Sequence, residues 1–192
     1  MLKLRSRTPP AWAARAAAHL DDVMLDHAHC EKKAAGVAMT LIFQSADRPG
    51  WMAPLAALAR EELAHFDEVL RWLERRHVAF GRQRPSPYAG RLREIVRQPE
   101  AQRRLDTLLC SAVIEARSCE RLGLLADAVV DPELAHFYRG LRSAEARHHG
   151  VYLDLACQWA GRDQVAARLD DVVHHEAAVL ADAPTEPRLH NA

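Results

Sequence analysis

Two short patterns, each a glutamate followed three residues later by a histidine, constrain the fold of this chain most strongly. Glu62 and His65 form the first pair, and Glu145 and His148 form the second. Both pairs lie in stretches whose apolar residues recur at helical spacing. Because residues three apart lie on one face of a helix, each pair directs a carboxylate and an imidazole to the same side.

A further glutamate precedes each pair at nearly the same distance. Glu31 stands 31 residues before Glu62, and Glu115 stands 30 residues before Glu145. Two helical hairpins of this kind bring four carboxylates and two imidazoles to the centre of a four-helix bundle, which is the ligand set of di-iron and di-manganese proteins. We therefore predict an all-α, ferritin-like four-helix bundle with a metal site at its centre.

Helix start and stop signals divide the chain into segments. A turn at Asp47 to Gly50 and a start signal at Asp131 and Pro132 separate the helices within each hairpin. Prolines and glycines in residues 79–98 predict a long crossover between the hairpins. We predict a single domain over residues 1–192, with core helices at about 19–45, 51–77, 99–130 and 132–160, extra terminal helices including one at about 163–181, and a flexible tail at 182–192.

The composition favours a soluble, helical, cytoplasmic protein. The chain has 192 residues, of which 49% are hydrophobic and only 8 are glycine. No long apolar run follows the basic N-terminus, so we expect a cytoplasmic protein that does not bind membranes. The four cysteines are scattered without a C-x-x-C pair and are expected to be reduced thiols: Cys30, Cys110, Cys119 and Cys157.

The apolar surroundings of the glutamates support a metal site. Any single helical glutamate is usually a surface residue. Glu31, however, shares a stripe with Ala35 and Ala38, and Glu115 follows Ile114 and other apolar residues. Burying an unpaired carboxylate costs several kcal/mol, so four carboxylates directed at one core require a compensating cation. Iron ions would supply that charge and leave open positions for dioxygen.

Several neighbours of these glutamates are candidates to contact a ligand. His27 lies four residues before Glu31, Cys119 four residues after Glu115, and Tyr152 four residues after His148. The alternative for each is an ordinary core side chain. His149 follows a candidate ligand by one residue and is turned about 100° away on the helix, so it is interpreted as a residue behind the ligands or an exposed one. Other histidines lack partners at matching spacing and are interpreted as surface or packing residues: His136, His174 and His175.

The charges are unevenly distributed although the formal net charge is zero. Residues 71–104 contain ten arginines against three glutamates, whereas six acidic residues outnumber two arginines from residue 163 onward. Such a run is either a solvated face with helix-end capping or a phosphate-binding surface. The candidates for such a phosphate-binding surface are Arg71, Arg75, Arg76, Arg82, Arg84, Arg91, Arg93 and Arg97.

Three sequence runs resemble one known family. Residues 26–35 read DHAHCEKKAA, residues 60–66 read REELAHF and residues 143–148 read SAEARH. They are similar to the ligand-bearing helices of the tRNA hydroxylases that act on methylthio-isopentenyl-adenosine beside the anticodon. The resemblance covers about residues 8–180, and the Cys-Glu-Lys-Lys-Ala-Ala run is far more specific than a Glu-x-x-His pair.

The resemblance implies a non-haem di-iron monooxygenase that hydroxylates the isopentenyl group of the tRNA nucleoside. Its cofactors would be two iron ions with dioxygen as co-substrate. Its partners would be tRNA and a separate electron-donor protein, since the sequence contains no flavin, nicotinamide or iron–sulfur motif. The sequence leaves monomer and dimer both open. By this resemblance the iron ligands would be Glu31, Glu62, His65, Glu115, Glu145 and His148, with Glu62 and Glu145 as the bridging pair.

Two other functions share parts of this pattern. A ferritin-like iron-handling or peroxide-consuming protein has the same ligand set but no nucleic-acid substrate. A di-iron hydroxylase of a lipid or quinone would carry an apolar membrane-binding face in the crossover, where this chain has arginines.

Overall fold

The computed structural model describes residues 4–192, and within them it contains helices but no strand. None of these helices combines the length and the apolar character that crossing a bilayer requires. In chain order they are α1 (Pro10–Ala18), α2 (Leu20–Gln44), α3 (Pro49–Arg75), α4 (Tyr88–Leu92), a 3-10 helix (Arg93–Ile95), α5 (Glu100–Ala128), α6 (Pro132–Ala160) and α7 (Arg162–Ala181).

The chain divides into two compact units. Residues 19–85 form the first, which contains α2 and α3 and is called the α2–α3 unit. The second, called the α5–α6 unit, comprises residues 86–192 together with the segment before α2. Each unit contains one hairpin of two long helices. The expectation of a single domain stays a prediction.

The α2–α3 unit is a helical hairpin because its connection is short. Helix α2 ends at Gln44 and α3 begins at Pro49, a residue suited to the first turn of a helix. The two helices pack along each other as antiparallel neighbours. Their inward faces carry mostly aliphatic residues, including Val23, Met24, Leu41, Leu55, Leu58, Val69 and Leu73.

The α5–α6 unit is built on a second hairpin with an explicit helix start. An oxygen of Asp131 accepts hydrogen bonds from the backbone N–H groups of Glu133 and Leu134, at 2.9 and 3.3 Å. This cap and the following Pro132 begin α6 where the sequence predicts it. Helix α7 packs against both long helices, while α1 packs against α5 and α4 against α7.

The crossover contains a short helical segment and is held to α5. The backbone N–H and the guanidinium of Arg97 donate to Asp106, which is fully buried on α5. Arg168 on α7 also donates to Asp106, at 2.9 Å, and to the carbonyl of Ile95, at 2.8 Å. One carboxylate thus joins the crossover, α5 and α7.

The last residues contact the rest of the α5–α6 unit. Leu189 is 1% exposed, and the ring of His190 stacks on Tyr88 with 4.8 Å between ring centroids. The carbonyl of Leu189 accepts a hydrogen bond of 2.6 Å from the buried guanidinium of Arg121. A buried guanidinium requires acceptors, and the carbonyl of Leu189 supplies one. The expectation of a flexible tail stays a prediction.

Candidate metal centre

Glu31, Glu62 and His65 come together inside the α2–α3 unit because α2 and α3 present them from their packed faces. Both carboxylates are buried, and the imidazole is nearly so. Nδ1 of His65 lies 3.7 Å from Oε2 of Glu31 and 3.8 Å from Oε2 of Glu62. Two carboxylates and an imidazole therefore face one small volume.

His27 supports this group from the preceding turn of α2. Its Nε2 lies 2.5 Å from Oε1 of Glu31, a hydrogen bond in which the imidazole donates to the carboxylate. The side chain is fully buried. The predicted contact between His27 and Glu31 is therefore present, and it fixes the direction of the Glu31 carboxylate.

The electrostatics of the α2–α3 unit favour a positive charge at this place. Burial alone would raise the pKa of Glu31, but His27 and His65 outweigh it and hold that pKa well below its usual range. Burial lowers the pKa of His65, yet Glu31 and Glu62 together raise that pKa to about 10. The carboxylates therefore attract either a proton on His65 or a metal ion that displaces it.

The α5–α6 unit carries the matching group. Nδ1 of His148 lies 3.9 Å from Oε1 of Glu145, and both side chains are buried on α6. Glu115 is 4% exposed on α5, the helix that packs along α6. In each unit, the Glu-x-x-His pair offers ligand atoms within 4.8 Å of one another.

The donor atoms suit a hard or borderline metal ion. Carboxylate oxygens and imidazole nitrogens are the ligands that iron and manganese accept in helical carboxylate proteins. Cys119 does not change this chemistry: burial raises the pKa of its thiol, and nearby Glu145 acts in the same direction. The thiol therefore stays protonated at neutral pH and is a poor ligand. Buried carboxylates at this density are a cation-binding group that could hold a metal ion.

Comparison of the whole chain with known families decides among ferritin-like proteins. A family model described as MiaE, tRNA-(MS[2]IO[6]A)-hydroxylase, matches residues 2–191. The chain belongs to this family.

Two relatives of this MiaE-family protein are named for the same activity. The tRNA 2-(methylsulfanyl)-N(6)-isopentenyladenosine(37) hydroxylase of Pseudomonas putida (strain KT2440) is 38% identical over 184 residues, covering 96% of this chain and 89% of that protein. The protein of the same name from Salmonella typhimurium (strain LT2) is 31% identical over 237 aligned positions, covering 98% and 87%.

A solved structure supports the fold. A Synechococcus protein titled as having aldehyde deformylating oxygenase activity has a TM-score of 0.95 with this chain and is 38% identical to it. The likeness covers 100% of this chain and 97% of that one. It confirms the predicted all-α, ferritin-like fold class, with two long-helix hairpins, a crossover and additional terminal helices.

The other predicted neighbours of the ligands lie inside the MiaE-family fold. Cys119 is 1% exposed on α5, and Tyr152 is fully buried on α6. Tyr152 stands one turn after His148, as its spacing predicts. The roles of both residues at a metal centre stay predictions.

For His149 the sequence left a position behind the ligands and an exposed position both open. It is 5% exposed, and its Nδ1 donates a 2.9 Å hydrogen bond to the carbonyl of Ala112 on α5. Burial lowers the pKa of this imidazole, so it remains neutral at neutral pH. It ties the ligand-bearing turn of α6 to α5. Its partner is a backbone carbonyl, so no side-chain pattern in the sequence points to it.

The arginine candidates fall into both units and differ in their partners. Arg97 is bound to Asp106 through three of its nitrogens, so its guanidinium is already used within the fold. Arg76 pairs with Asp21 at 2.5 Å, and Arg91 donates to the carbonyl of Asp182 at 3.1 Å. Within residues 4–192, three of the candidates are exposed and form no ion pair: Arg82, Arg84 and Arg93.

Proposed function

We propose that this MiaE-family protein is a dioxygen-dependent hydroxylase of tRNA that acts on the isopentenyl group of 2-methylthio-isopentenyl-adenosine next to the anticodon. The two relatives carry the name of this activity. The observation that carries the proposal is the repeated glutamate and Glu-x-x-His pattern, with its carboxylates buried, in a chain of this family.

The proposed metal ligands are the six residues of the two groups. Glu31, Glu62 and His65 would hold one iron ion, and the equivalent residues of the α5–α6 unit would hold the second. Glu62 and Glu145 would each contribute a carboxylate ligand. Two irons, when bound, supply the activation of dioxygen that amino-acid side chains cannot provide. The ligands in the α5–α6 unit are Glu115, Glu145 and His148.

The proposed reaction requires electrons from outside the chain. One oxygen atom enters a methyl C–H bond of the substrate, and the other leaves as water with two electrons and two protons. The protein's own side chains do not supply a reusable electron pair, so a separate donor protein must deliver it. The task of this chain is to bind, orient and shield the reacting group.

Residues on α2 suit the binding of an apolar prenyl chain. Ala35 and Ala38 lie one and two turns after Glu31 on the same face of the helix, and both are buried. Small side chains at these two positions would give a branched hydrocarbon access to the carboxylate. His27 holds that carboxylate in place while the prenyl group enters.

Recognition of tRNA would use exposed basic side chains. An anticodon-loop base can be splayed out of its stack and offered to a pocket while its phosphates stay on the surface. Arg82, Arg84 and Arg93 are exposed and suited to this task. Arg97 is not, because Asp106 already holds its guanidinium.

The main alternatives have no nucleic-acid substrate. One is the iron-handling or peroxide-consuming protein considered above. Another is an aldehyde oxygenase, a candidate because the Synechococcus protein of similar structure is titled with that activity. Both require the same metal ligands, so only the substrate separates them from a tRNA hydroxylase.

The deciding experiment supplies iron-loaded protein with dioxygen, a chemical or protein reductant and tRNA carrying the prenylated nucleoside. We expect the nucleoside to gain one oxygen atom by mass spectrometry, and only when reductant is present. The same tRNA without the prenyl group is the control substrate. Turnover of a fatty aldehyde with no change in prenylated tRNA would refute the proposal.

A further inference from the structure

A cavity of about 320 Å³ lies on the side of α2 opposite to Glu31. Asp26, His29 and Lys33 recur at intervals of three and four residues, so they share one face of the helix, and Glu31 points the other way. The second wall is the start of the crossover. The residues lining the cavity are Asp26, His29, Lys32, Lys33, Arg82, Gln83 and Pro85.

The crossover wall is fixed to α2 by specific contacts. The Nε2 of His29 donates a 2.9 Å hydrogen bond to the carbonyl of Gly81, and its ring lies 4.8 Å from that of Phe80. The amide nitrogen of Gln83 reaches the carbonyl of Asp22 at 3.4 Å. The cavity is therefore a feature of packed residues within the α2–α3 unit.

The charges lining the cavity favour an anion. Three cationic side chains face one carboxylate, that of Asp26, which is 1% exposed and has the thiol of Cys30 at 4.0 Å. Within the part of the chain that the structure describes, Lys33 and Arg82 form no ion pair, although Arg76 in the same unit pairs with Asp21. Two cations that form no ion pair and outnumber the carboxylates lining the cavity are suited to a phosphate.

Gln83 adds a second kind of contact. Its Oε1 is buried and accepts no hydrogen bond from residues 4–192. A buried acceptor of this kind is satisfied by a ligand that carries a hydroxyl or amino donor. A ribonucleotide has both groups, since its phosphate is an anion and its 2′-hydroxyl is a donor.

We propose that this cavity is a subsite for the RNA backbone, in which Lys33 and Arg82 bind one phosphate and Gln83 accepts a hydrogen bond from a ribose 2′-hydroxyl. Lys32, whose ammonium lies 5.1 Å above the Phe80 ring, stands at the rim. The inference rests on the proposed tRNA substrate, and it assigns named residues to the binding of one nucleotide of that RNA.

The position of the cavity on α2 suits it to orient a bound RNA. Helix α2 carries Glu31 on one face and the cavity on the other, so both belong to the same rigid element. Phosphate contacts fix the register and orientation of a nucleic acid on a protein. A phosphate held here would fix the RNA relative to the helix that contributes a proposed iron ligand.

The test measures steady-state kinetics of the iron-loaded enzyme on a prenylated anticodon stem-loop RNA. We expect Lys33→Ala and Arg82→Ala each to raise KM about tenfold, with kcat nearly unchanged, because each loses a charge-assisted hydrogen bond. The slope of log Kd against log salt concentration should become shallower by about 0.7 for each lost contact. Lys33→Arg should restore binding.

The matched control is Arg48→Ala, which removes one positive charge from the same unit at a side chain paired with Asp47. It should leave KM and the salt slope at wild-type values. Gln83→Leu should reduce the preference for RNA over DNA of the same sequence. Circular dichroism should be unchanged in all variants, since Lys33 and Arg82 are exposed.

Two results separate the cavity's role from the proposed function. If the wild-type enzyme leaves prenylated RNA unmodified, the proposed function is wrong. If it hydroxylates the RNA while the Lys33→Ala/Arg82→Ala variant keeps wild-type KM and salt slope, only the subsite is wrong. Tight binding of inorganic phosphate that the RNA does not displace would indicate a free-phosphate site and also overturn the inference.

Discussion

At the scale of single residues, Glu31 is the proposed ligand whose two carboxylate oxygens each face a histidine. His27 holds one carboxylate oxygen at 2.5 Å, and His65 faces the other at 3.7 Å. A carboxylate held in this way keeps its orientation whether or not a cation is bound. Residues that orient a metal ligand commonly influence affinity almost as strongly as the ligand itself.

Replacing His27 should therefore weaken iron binding without removing a ligand. We expect His27→Gln to reduce iron affinity about 10- to 100-fold, and His27→Ala to reduce it at least as much. Competition with a chelator measures the affinity. His136→Gln, at an exposed histidine of α6, is the control. Wild-type affinity in both His27 variants would show that the hydrogen bond to Glu31 has no role in metal binding.

Glu115 tests the proposed ligand set, because it is a ligand candidate on α5 that stands outside the Glu-x-x-His pair of α6. We expect Glu115→Ala to lose iron and hydroxylation while its circular dichroism stays helical, since removing a buried carboxylate also removes its desolvation cost. Metal analysis and product detection measure both. Glu68→Ala, at an exposed site on α3, should behave as wild type. Full activity in Glu115→Ala would contradict the assignment.

At the scale of helices, α5 is the element to which most of its unit is attached. It packs against α1, α6 and α7, and through Asp106 it also holds the crossover. The carboxylate of Asp106 is buried between two guanidiniums, those of Arg97 and Arg168. Burial alone would raise the pKa of Asp106, but these arginines lower it below the ordinary value of 3.8.

Asp106→Asn should destabilise the protein by about 2–3 kcal/mol. The guanidinium of Arg97 loses its counter-ion, and that of Arg168 keeps only the exposed carboxylate of Asp171, at 3.1 Å. Urea denaturation measures the difference. A depressed carboxyl pKa contributes stability that is present above the ordinary pKa and is lost as the pH falls below it. The difference in free energy of unfolding between wild type and Asp106→Asn should therefore narrow below about pH 4. Asp127→Asn, at an exposed site of α5, is the control; a gap that does not change with pH would contradict this account.

At the scale of the whole molecule, two hairpins of the same design each contribute one glutamate and one Glu-x-x-His pair. The two ligand groups share the same environment, because the glutamate carboxylates are buried in both units. Buried like charges destabilise a fold unless a cation compensates them. Iron bound at the proposed ligands would therefore also stabilise the fold.

Removing the metal should consequently lower thermal stability. We expect about two irons per chain after anaerobic purification, and a fall in Tm of about 5–10 °C when a chelator removes them, since a ligand that binds only the folded state stabilises it by about 3 kcal/mol at 100 times its Kd. Metal analysis and differential scanning fluorimetry measure these values. A single tightly bound zinc ion, or an unchanged Tm, would contradict the prediction.

The sequence predicts those features whose causes are local. Helix α6 begins where Asp131 and Pro132 signal it, and the pairing of Glu62 with His65 follows from helical periodicity. Features with distant causes were not predictable in this way. Arg97 binds Asp106, His149 binds a backbone carbonyl of α5, and Arg121 donates to the carbonyl of Leu189. None of these partners is marked by spacing or residue type, because the fold alone brings them together.

The burial of Arg121 has a consequence for proteolysis. Burial and the neighbouring Arg117 lower the pKa of Arg121 to about 10, and the carbonyl of Leu189 accepts one of its N–H groups. A protease cut just before Leu189 would detach Leu189, His190 and Asn191, which are all buried. The lost carbonyl of Leu189 accepts from a buried guanidinium on α5, so such a cut would loosen the helix that carries Glu115.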